Sequence, residues 1–261
     1  MKKKMKIATY NANSIRSRIE LLKAWLGKHK PDILCVQETK VQDDEFPLEA
    51  FRDTRYEVVF RGQKKYNGVA IFSRFPLEEI EVDLPNDPVQ EARFLKAKAG
   101  KIIVLNTYIP QGQEVDSDKF QYKLEYFRLL KSYFSSRFDP QRDFVLWCGD
   151  LNAAREPIDV YDPEGLWGHV CYCKEVKESF EDVMKWGFID LFRQFHPEGG
   201  HYTFWDYRIP NSFQRKLGWR LDYILATEPL AKTCQDCWID LEARRAEKPS
   251  DHTFLVAEFA L

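Results

Sequence analysis

The stretch Phe144-Val145-Leu146-Trp147-Cys148-Gly149-Asp150-Leu151-Asn152 constrains the fold of this chain more than any other. Four consecutive large apolar residues, Phe144 to Trp147, predict a strand covered on both faces, because a strand with one wet face alternates apolar with polar residues. Such a strand belongs inside a layered fold. The run breaks at Gly149 and delivers a carboxylate and an amide, Asp150 and Asn152, two positions apart on one side of the chain. A buried strand is rigid and its end meets solvent, so polar groups placed there are held firmly enough for chemistry. A Gly-Asp turn would explain the pattern taken alone, but other strand ends in the sequence repeat it.

Residues 6–10 predict a first strand that ends in Asn11-Ala12-Asn13-Ser14. Ser14 is then the cap of a helix over residues 15–29, with Ile19, Leu22, Trp25 and Leu26 on one face. Pro31-Asp32 ends it, and residues 33–37 predict a second buried strand leading to Glu38. Residues 56–60, 68–73 and 80–84 read as antiparallel strands separated by Gly62, Asn67-Gly68 and Pro76. Residues 94–99 and 102–108 predict a hairpin about Gly100-Lys101. A helix from about Ser117 to Phe134 would bury Phe120, Leu124, Phe127, Leu130 and Phe134, with Lys123 and Lys131 toward water. A further helix spans about 176–186, ended by Gly187. Residues 204–205, 221–226, 237–241 and 254–259 read as the last strands. Strands outnumber helices, and hairpins mix with strand-helix-strand passages. That pattern predicts a mixed α/β sandwich formed as one domain over residues 1–261.

Composition narrows the setting. Apolar residues make up 44% and charged residues 31%, an ordinary soluble balance. No apolar run reaches the ~18–20 residues of a membrane span. The basic start Met1-Lys2-Lys3-Lys4-Met5-Lys6 is not followed by the apolar run of a signal peptide, so the expectation is a cytoplasmic protein with no membrane contact. Cys35 and Cys148 lie in apolar runs, the usual place of a buried free thiol. His169, Cys171 and Cys173, and the pair Cys234 and Cys237, lack the usual zinc-finger spacing. Inert thiols are therefore favoured over structural zinc or a redox disulfide. A net charge of −2 gives no global attraction to a polyanion. A nucleic acid would have to be held by local basic groups or through a metal, with a shallow, salt-sensitive grip.

At or beside their ends the apolar runs present Asn11, Glu38, Tyr108, Asp150 with Asn152, Asp222, and Asp251 with His252. Each has a structural explanation alone, as a turn former, a cap or an edge aromatic. Together they form a coherent set. Asn11 and Glu38 offer the oxygen atoms that a hard cation such as Mg²⁺ prefers. The sequence has no Ser or Cys nucleophile beside a base, and no Gly-rich phosphate loop followed by Lys-Ser/Thr. A carboxylate-rich metal site with one His and one Tyr points to hydrolysis of a phosphate ester by activated water.

Seven segments, in order along the chain, resemble successive motifs of the exonuclease III family of abasic-site endonucleases, within the endonuclease/exonuclease/phosphatase superfamily. They are Thr9-Tyr10-Asn11-Ala12-Asn13, Gln37-Glu38-Thr39-Lys40, Tyr66-Asn67-Gly68-Val69-Ala70, Tyr108-Ile109-Pro110-Gln111-Gly112, Gly149-Asp150-Leu151-Asn152, Trp219-Arg220-Leu221-Asp222-Tyr223 and Ser250-Asp251-His252. The resemblance covers essentially the whole chain, and the Tyr108 and Trp219 segments narrow it to the DNA-repair branch. It implies a DNase I-like, four-layered α/β sandwich of two mixed β-sheets flanked by helices. The implied activity is Mg²⁺-dependent (or Mn²⁺-dependent) cleavage 5′ to abasic sites in duplex DNA, with 3′→5′ exonuclease and 3′-end-trimming activity. The partner would be double-stranded DNA with abasic or damaged 3′ ends, acted on by a monomer.

By the same resemblance, Glu38 binds the metal with Asn11 hydrogen-bonded beside it, and Asp251 is a ligand to a second metal or a support behind the first. Asp150 orients or deprotonates the attacking water, Asn152 holds that carboxylate and the phosphate, and Tyr108 stabilises the transition state or the leaving oxygen. His252, paired with Asp222, contacts the scissile phosphate. Tyr108, Asp150 and His252 are each open as the base. A carboxylate held by Asn152 should stay ionised at neutral pH, and His252 beside Asp222 should be favoured as a cation, which favours Asp150. Phe204, Trp205 and Leu221 are expected to form a slot for an extrahelical abasic sugar, with Arg208 entering the DNA. Asn13, Lys65, Tyr66 and Gln111 would touch phosphates, and Arg215, Lys216 and Arg220 would add to that face. The chain departs from some members in lacking an arginine over Gln113 to Lys119, in placing Lys65 where some have Gly, and over residues 211–218. These differences bear on how firmly DNA is gripped. The rival readings are a phosphodiesterase of the same fold acting on a lipid or small phosphoester, and a non-catalytic DNA-binding relative. The first lacks the Trp219 segment, and the second usually loses an acid or the His.

Overall fold

The computed structural model describes residues 4–261; Met1, Lys2 and Lys3 of the basic start lie outside the described residues. In chain order the strands are β1 (Lys4–Asn11), β2 (Ile33–Gln37), β3 (Glu57–Arg61), β4 (Val69–Ser73), β5 (Glu78–Glu81), β6 (Phe94–Ala99), β7 (Ile102–Tyr108), β8 (Phe144–Asp150), β9 (Phe188–Asp190), β10 (Asp222–Thr227), β11 (Cys234–Asp240) and β12 (Phe254–Ala260). The helices are α1 (Ile19–His29), α2 (Asp118–Arg137), α3 (Lys174–Met184), α4 (Leu191–Phe195) and α5 (Glu228–Ala231). One six-stranded sheet has the order β11-β12-β1-β2-β4-β3, and the other β5-β6-β7-β8-β10-β9. Each sheet contains one parallel pair, β1 with β2 and β7 with β8. A parallel pair needs a long crossover, and α1 and α2 supply the two.

The apolar runs fill three cores. Along β8, Leu146 and Cys148 point between the sheets, where they meet Ile7, Ile33, Ile71, Val104 and Ile224. Val145 and Trp147 point the other way, against Phe127 and Phe134 of α2 and Phe180 of α3. On the outer face of the first sheet, Leu22, Trp25 and Leu26 of α1 cover Tyr10, Val36 and Phe254. The layers therefore run helix, sheet, sheet, helix, and a strand buried on both faces is what the unbroken run from Phe144 requires.

Several local expectations are corrected. Ser14 does not cap α1, which begins at Ile19 without a side-chain cap after a 3₁₀ turn over residues 16–18. Ser14 instead has a φ of +89° and donates its backbone N–H to the Glu38 carbonyl at 2.8 Å, tying the exits of β1 and β2 together. Ser117 does cap α2, its hydroxyl accepting from the Phe120 N–H at 3.2 Å. Phe204 forms isolated bridges rather than a strand, and β9 went unpredicted because only three residues pair. All six cysteines are free and buried, and none joins a group of potential metal ligands among the described residues. Among those residues no helix is long and apolar enough to cross a membrane.

Candidate active site

Strand register assembles the site. Asp150 lies opposite Tyr108 in the parallel pairing of β7 with β8, and opposite Asp222 in the antiparallel pairing of β8 with β10. Three polar side chains thus occupy one row at the end of the second sheet. Gly149 permits the approach: its φ is +138°, and a Cβ there would collide with the Thr107 carbonyl oxygen. The first sheet contributes Asn11, at the end of β1, and Glu38, one residue beyond β2 and held at a φ of +50°. Asn11 bridges the two sheets, its Nδ2 donating to Glu38 Oε1 and to Asp150 Oδ2, both at 2.8 Å. Its Oδ1 accepts from the Asn13 N–H at 2.9 Å, so Asn11 orients the carboxylates with one lone pair of that oxygen already used.

His252 closes the row. Its Nδ1 is 2.8 Å from Asp222 Oδ2 and its Nε2 is 3.6 Å from Asp150 Oδ2. Asp222 is fixed through its own N–H, which donates to Thr203 Oγ1 at 3.1 Å. Asn152, at a φ of +47°, donates its backbone N–H to Asp150 Oδ1 at 2.9 Å, while its Nδ2 is committed to the Ile109 carbonyl at 3.0 Å. Asp251 stands at the rim, accepting from Asn13 Nδ2 at 2.9 Å and Ser250 Oγ at 3.2 Å.

The expected outward lysine, Lys123, is wholly buried instead. Its ammonium donates to the carbonyls of Gln111 at 3.1 Å, Asn152 at 2.7 Å and Val170 at 2.7 Å. The spacing that places it on α2 does not reveal the three converging loops whose carbonyls need a donor. Lys40, likewise unanticipated, ion-pairs with Glu38 Oε2 at 2.8 Å.

The protonation states divide the roles. Burial pulls the His252 imidazolium toward neutrality, but Asp222 and Asp150 outweigh it and hold its pKa at about 10. Burial pushes Asp150 up to about 7, with His252 pulling it down and Asp222 and Glu38 adding repulsion. The expectation that a carboxylate held by Asn152 stays ionised at neutral pH is therefore corrected: in so enclosed a place burial outweighs one N–H. Burial and then Glu38 raise Tyr108 well above the phenol range, so it remains a proton donor. Burial also raises Glu38, yet Lys40 and Asn11 outweigh it, and its pKa lies below the usual value. Of the three candidate bases, Tyr108 is held as a phenol and His252 as a cation, while Asp150 is a carboxyl raised by burial and drawn down by His252.

The donor set suits a hard divalent cation. Glu38 is held as a carboxylate by Asn11 and Lys40, and the buried Asp222 Oδ1 has no hydrogen-bond partner. Asp150, Asp222 and His252 each bring a ligand-type atom within 4.8 Å of the others. Because His252 is a cation bonded to Asp222, that trio is a charge-stabilising network, and Glu38 is the carboxylate suited to a metal.

The substrate-side residues are only partly brought together. Phe204 lies 4.8 Å, centroid to centroid, from the His252 ring and pairs with Trp219 across an antiparallel bridge. Phe204, Trp219 and Leu221 belong to one apolar cluster. Trp205, expected in the slot, faces away from it: it is buried against Phe213, 5.0 Å between ring centres, and beneath Arg244. Residues adjacent on an extended chain point to opposite sides, whereas Trp219 and Leu221, two apart, share one; that alternation was the available signal for Trp219. Tyr66 and Gln111 line a groove with Tyr108, Arg93 and Tyr122. Lys65 is exposed at a φ of +70° next to Tyr66. Arg208 is exposed, with Asp206 as its ion-pair partner at 2.7 Å. Arg220 cannot contribute to a DNA-facing surface: it is buried, with Asp159 at 2.7 Å and Asp190 at 2.8 Å.

Comparison with known proteins places this geometry among nucleases. Residues 8–252 match the endonuclease/exonuclease/phosphatase family. Exodeoxyribonuclease III of Haemophilus influenzae is 31% identical, over 98% of this chain and 100% of the relative. Among solved structures, an AP endonuclease from Archaeoglobus fulgidus is 48% identical, with a TM-score of 0.96, over 98% of this chain and 100% of its own. A 3′ phosphatase from Neisseria, bound to product DNA hairpin, is 37% identical with a TM-score of 0.93, over 98% of this chain and 100% of its own.

Proposed function

Because this chain belongs to the endonuclease/exonuclease/phosphatase family, in its exonuclease III branch, we propose that it is a Mg²⁺-dependent DNA-repair phosphodiesterase. It cleaves duplex DNA 5′ to abasic sites and trims 3′ ends by exonuclease and phosphatase action. The observation that carries this reading is the single row of Tyr108, Asp150 and Asp222, closed by His252 and bridged to Glu38 through Asn11.

Glu38 would hold Mg²⁺ or Mn²⁺, with Asn11 orienting it and Asp251 at the rim. When bound, the ion neutralises charge on the phosphate and lowers the cost of bringing up a nucleophile. The protein's own groups do the rest. Asp150 Oδ2, held by Asn11, accepts a proton from the attacking water as its oxygen bonds to phosphorus. His252, kept cationic by Asp222, stabilises the negative charge that builds on the phosphate oxygens. Tyr108, kept protonated, donates toward the sugar oxygen as its bond to phosphorus breaks. Asn152 fixes Asp150 through its backbone N–H. Phe204, Trp219 and Leu221 receive a sugar without a base, whose extrusion needs no base pair to be broken. Asn13, Lys65, Tyr66, Gln111 and Arg208 touch the strand on either side. The same reading takes residues 1–261 as one domain, acting as a monomer in the cytoplasm without membrane contact.

The test is a labelled duplex carrying one abasic-site analogue, incubated with Mg²⁺ or with EDTA, beside an undamaged duplex and a 3′-phosphorylated nick. Incision 5′ to the lesion in Mg²⁺ alone is the expected result. Absence of incision with 3′-phosphate removal retained would restrict the function to 3′ ends, and loss of both would refute the reading.

A further inference from the structure

His196, Glu198 and His201 lie on the connection between α4 and the segment that carries Phe204, and they take no part in the chemistry above. One ligand-type atom from each comes within 4.8 Å of the other two. Nε2 of His201 is 2.8 Å, and Nδ1 of His196 3.7 Å, from the same Glu198 oxygen, Oε1. We propose that these three side chains form a second, structural metal site that takes a borderline transition-metal dication of the Zn²⁺ class.

The tautomer of His196 is the first support. Its Nε2 lies 2.9 Å from the Cys237 carbonyl oxygen, which can only accept, so Nε2 carries the hydrogen. Nδ1 is then the ring nitrogen left to face Glu198, which it approaches at 3.7 Å. A histidine whose outer nitrogen donates to a backbone carbonyl is the arrangement that orients metal-binding imidazoles.

The second support is that the loop is already shaped. The Phe192 ring stacks on His196, 4.6 Å between centres, and meets His201 edge-on at 5.5 Å, which fixes both rings. Arg193 donates to the carbonyls of His196 at 3.0 Å and Glu198 at 2.6 Å, while its other nitrogen is held by Asp159. Gly200, at a φ of +85°, turns the chain so that His201 comes back beside His196. Little ordering remains for a ligand to impose.

Donor chemistry selects the ion. Two imidazole nitrogens and one carboxylate suit Zn²⁺, with water completing the set because the cluster opens to solvent. Mg²⁺ prefers oxygen ligands throughout, so it should remain at the acidic site. The consequence is structural: the ion would clamp the loop two residues before Thr203, whose hydroxyl holds the N–H groups of Leu221 and Asp222.

The whole chain, stripped with EDTA and dialysed into excess Mg²⁺, is titrated with Zn²⁺ by calorimetry, with thermal unfolding followed in parallel. His201→Ala and Glu198→Gln are compared with Asp150→Asn, which perturbs only the acidic site. One equivalent of Zn²⁺ should bind to the intact protein and to Asp150→Asn, and raise the melting temperature of both. Affinity at that equivalent should fall more than about 100-fold in His201→Ala and by at least about 10-fold in Glu198→Gln, and the melting shift should vanish in His201→Ala. Both altered residues reach the surface, and far-ultraviolet circular dichroism establishes that the variants are folded. Uptake of Zn²⁺ that is lost with Asp150 alone, or that is indifferent to His201 and Glu198, would overturn the proposal. So would no uptake at all.

Discussion

Replacing Lys123 by methionine tests whether one buried ammonium organises three loops at the site. Methionine keeps the length and volume of the stem and removes three donors. The carbonyls of Asn152 and Val170 then lose their partner in a buried place, and that of Gln111 in a partly buried one. An unsatisfied buried acceptor costs about 1–3 kcal/mol. Part of that is returned, because an ammonium no longer has to be desolvated, a penalty of several kcal/mol. Burial already pulls the Lys123 pKa down against the attraction of Cys171, Cys173 and Asp150, so that penalty is real here. The expected balance is a loss of about 2–4 kcal/mol, the cost of the orphaned acceptors less the desolvation that is returned. Urea unfolding followed by circular dichroism measures it. The same variant should incise abasic DNA about 10²-fold more slowly at saturation, because Asn152, whose carbonyl is released, also orients Asp150. A stability within about 1 kcal/mol of the unaltered protein would refute the reasoning, since the desolvation returned would then cancel the loss of the acceptors.

Other expectations follow from the same geometry. Gly149→Ala forces a Cβ against the Thr107 carbonyl and should cost about 1–3 kcal/mol along with most of the incision activity, both read on one purified variant. Trp219→Ala should weaken the preference for abasic over undamaged duplex in competition cleavage. Trp205→Ala should instead lose about 3–5 kcal/mol of stability in urea melts, with that preference intact. Without metal, His252 has a folded pKa of about 10 against an ordinary 6.5. The stability it supplies is therefore full below about pH 6.5 and lost as pH rises toward 10. Asp150, raised from 3.8 to about 7, acts in the same direction across that lower window. Urea midpoints in EDTA should fall across both windows, and Asp222→Asn should flatten the upper one.

The sequence makes the buried strands legible because their apolar runs admit one reading, and strand ends then place Tyr108, Asp150 and Asp222 without further information. Their alignment in one row depends on sheet order, which no local pattern states. Lys123 misleads for the same reason. Helical spacing sets its face, but what lies opposite is a convergence of carbonyls from residues 111, 152 and 170. Arg220 misleads because a basic residue near other basic residues reads as surface, whereas Asp159 and Asp190 come from distant segments to bury it. Trp205 was separable from Phe204 by the two-residue alternation that also sets Trp219 on the side of Leu221. The Ser14 cap failed because the hydroxyl pattern says nothing of the β1 and β2 exits, which claim that backbone first.

The most direct measurement is the single-turnover rate of Asp150→Asn on an abasic duplex, with enzyme in excess and Mg²⁺ present, beside the affinity of the same variant for that duplex. Asparagine keeps the shape and one of the two bonds, from Asn11 or from Asn152, but cannot take a proton. A rate about 10³-fold lower with affinity almost unchanged is the expected result, and marks Asp150 as the base. A rate within tenfold of the unaltered protein would contradict it and move the proton to another acceptor.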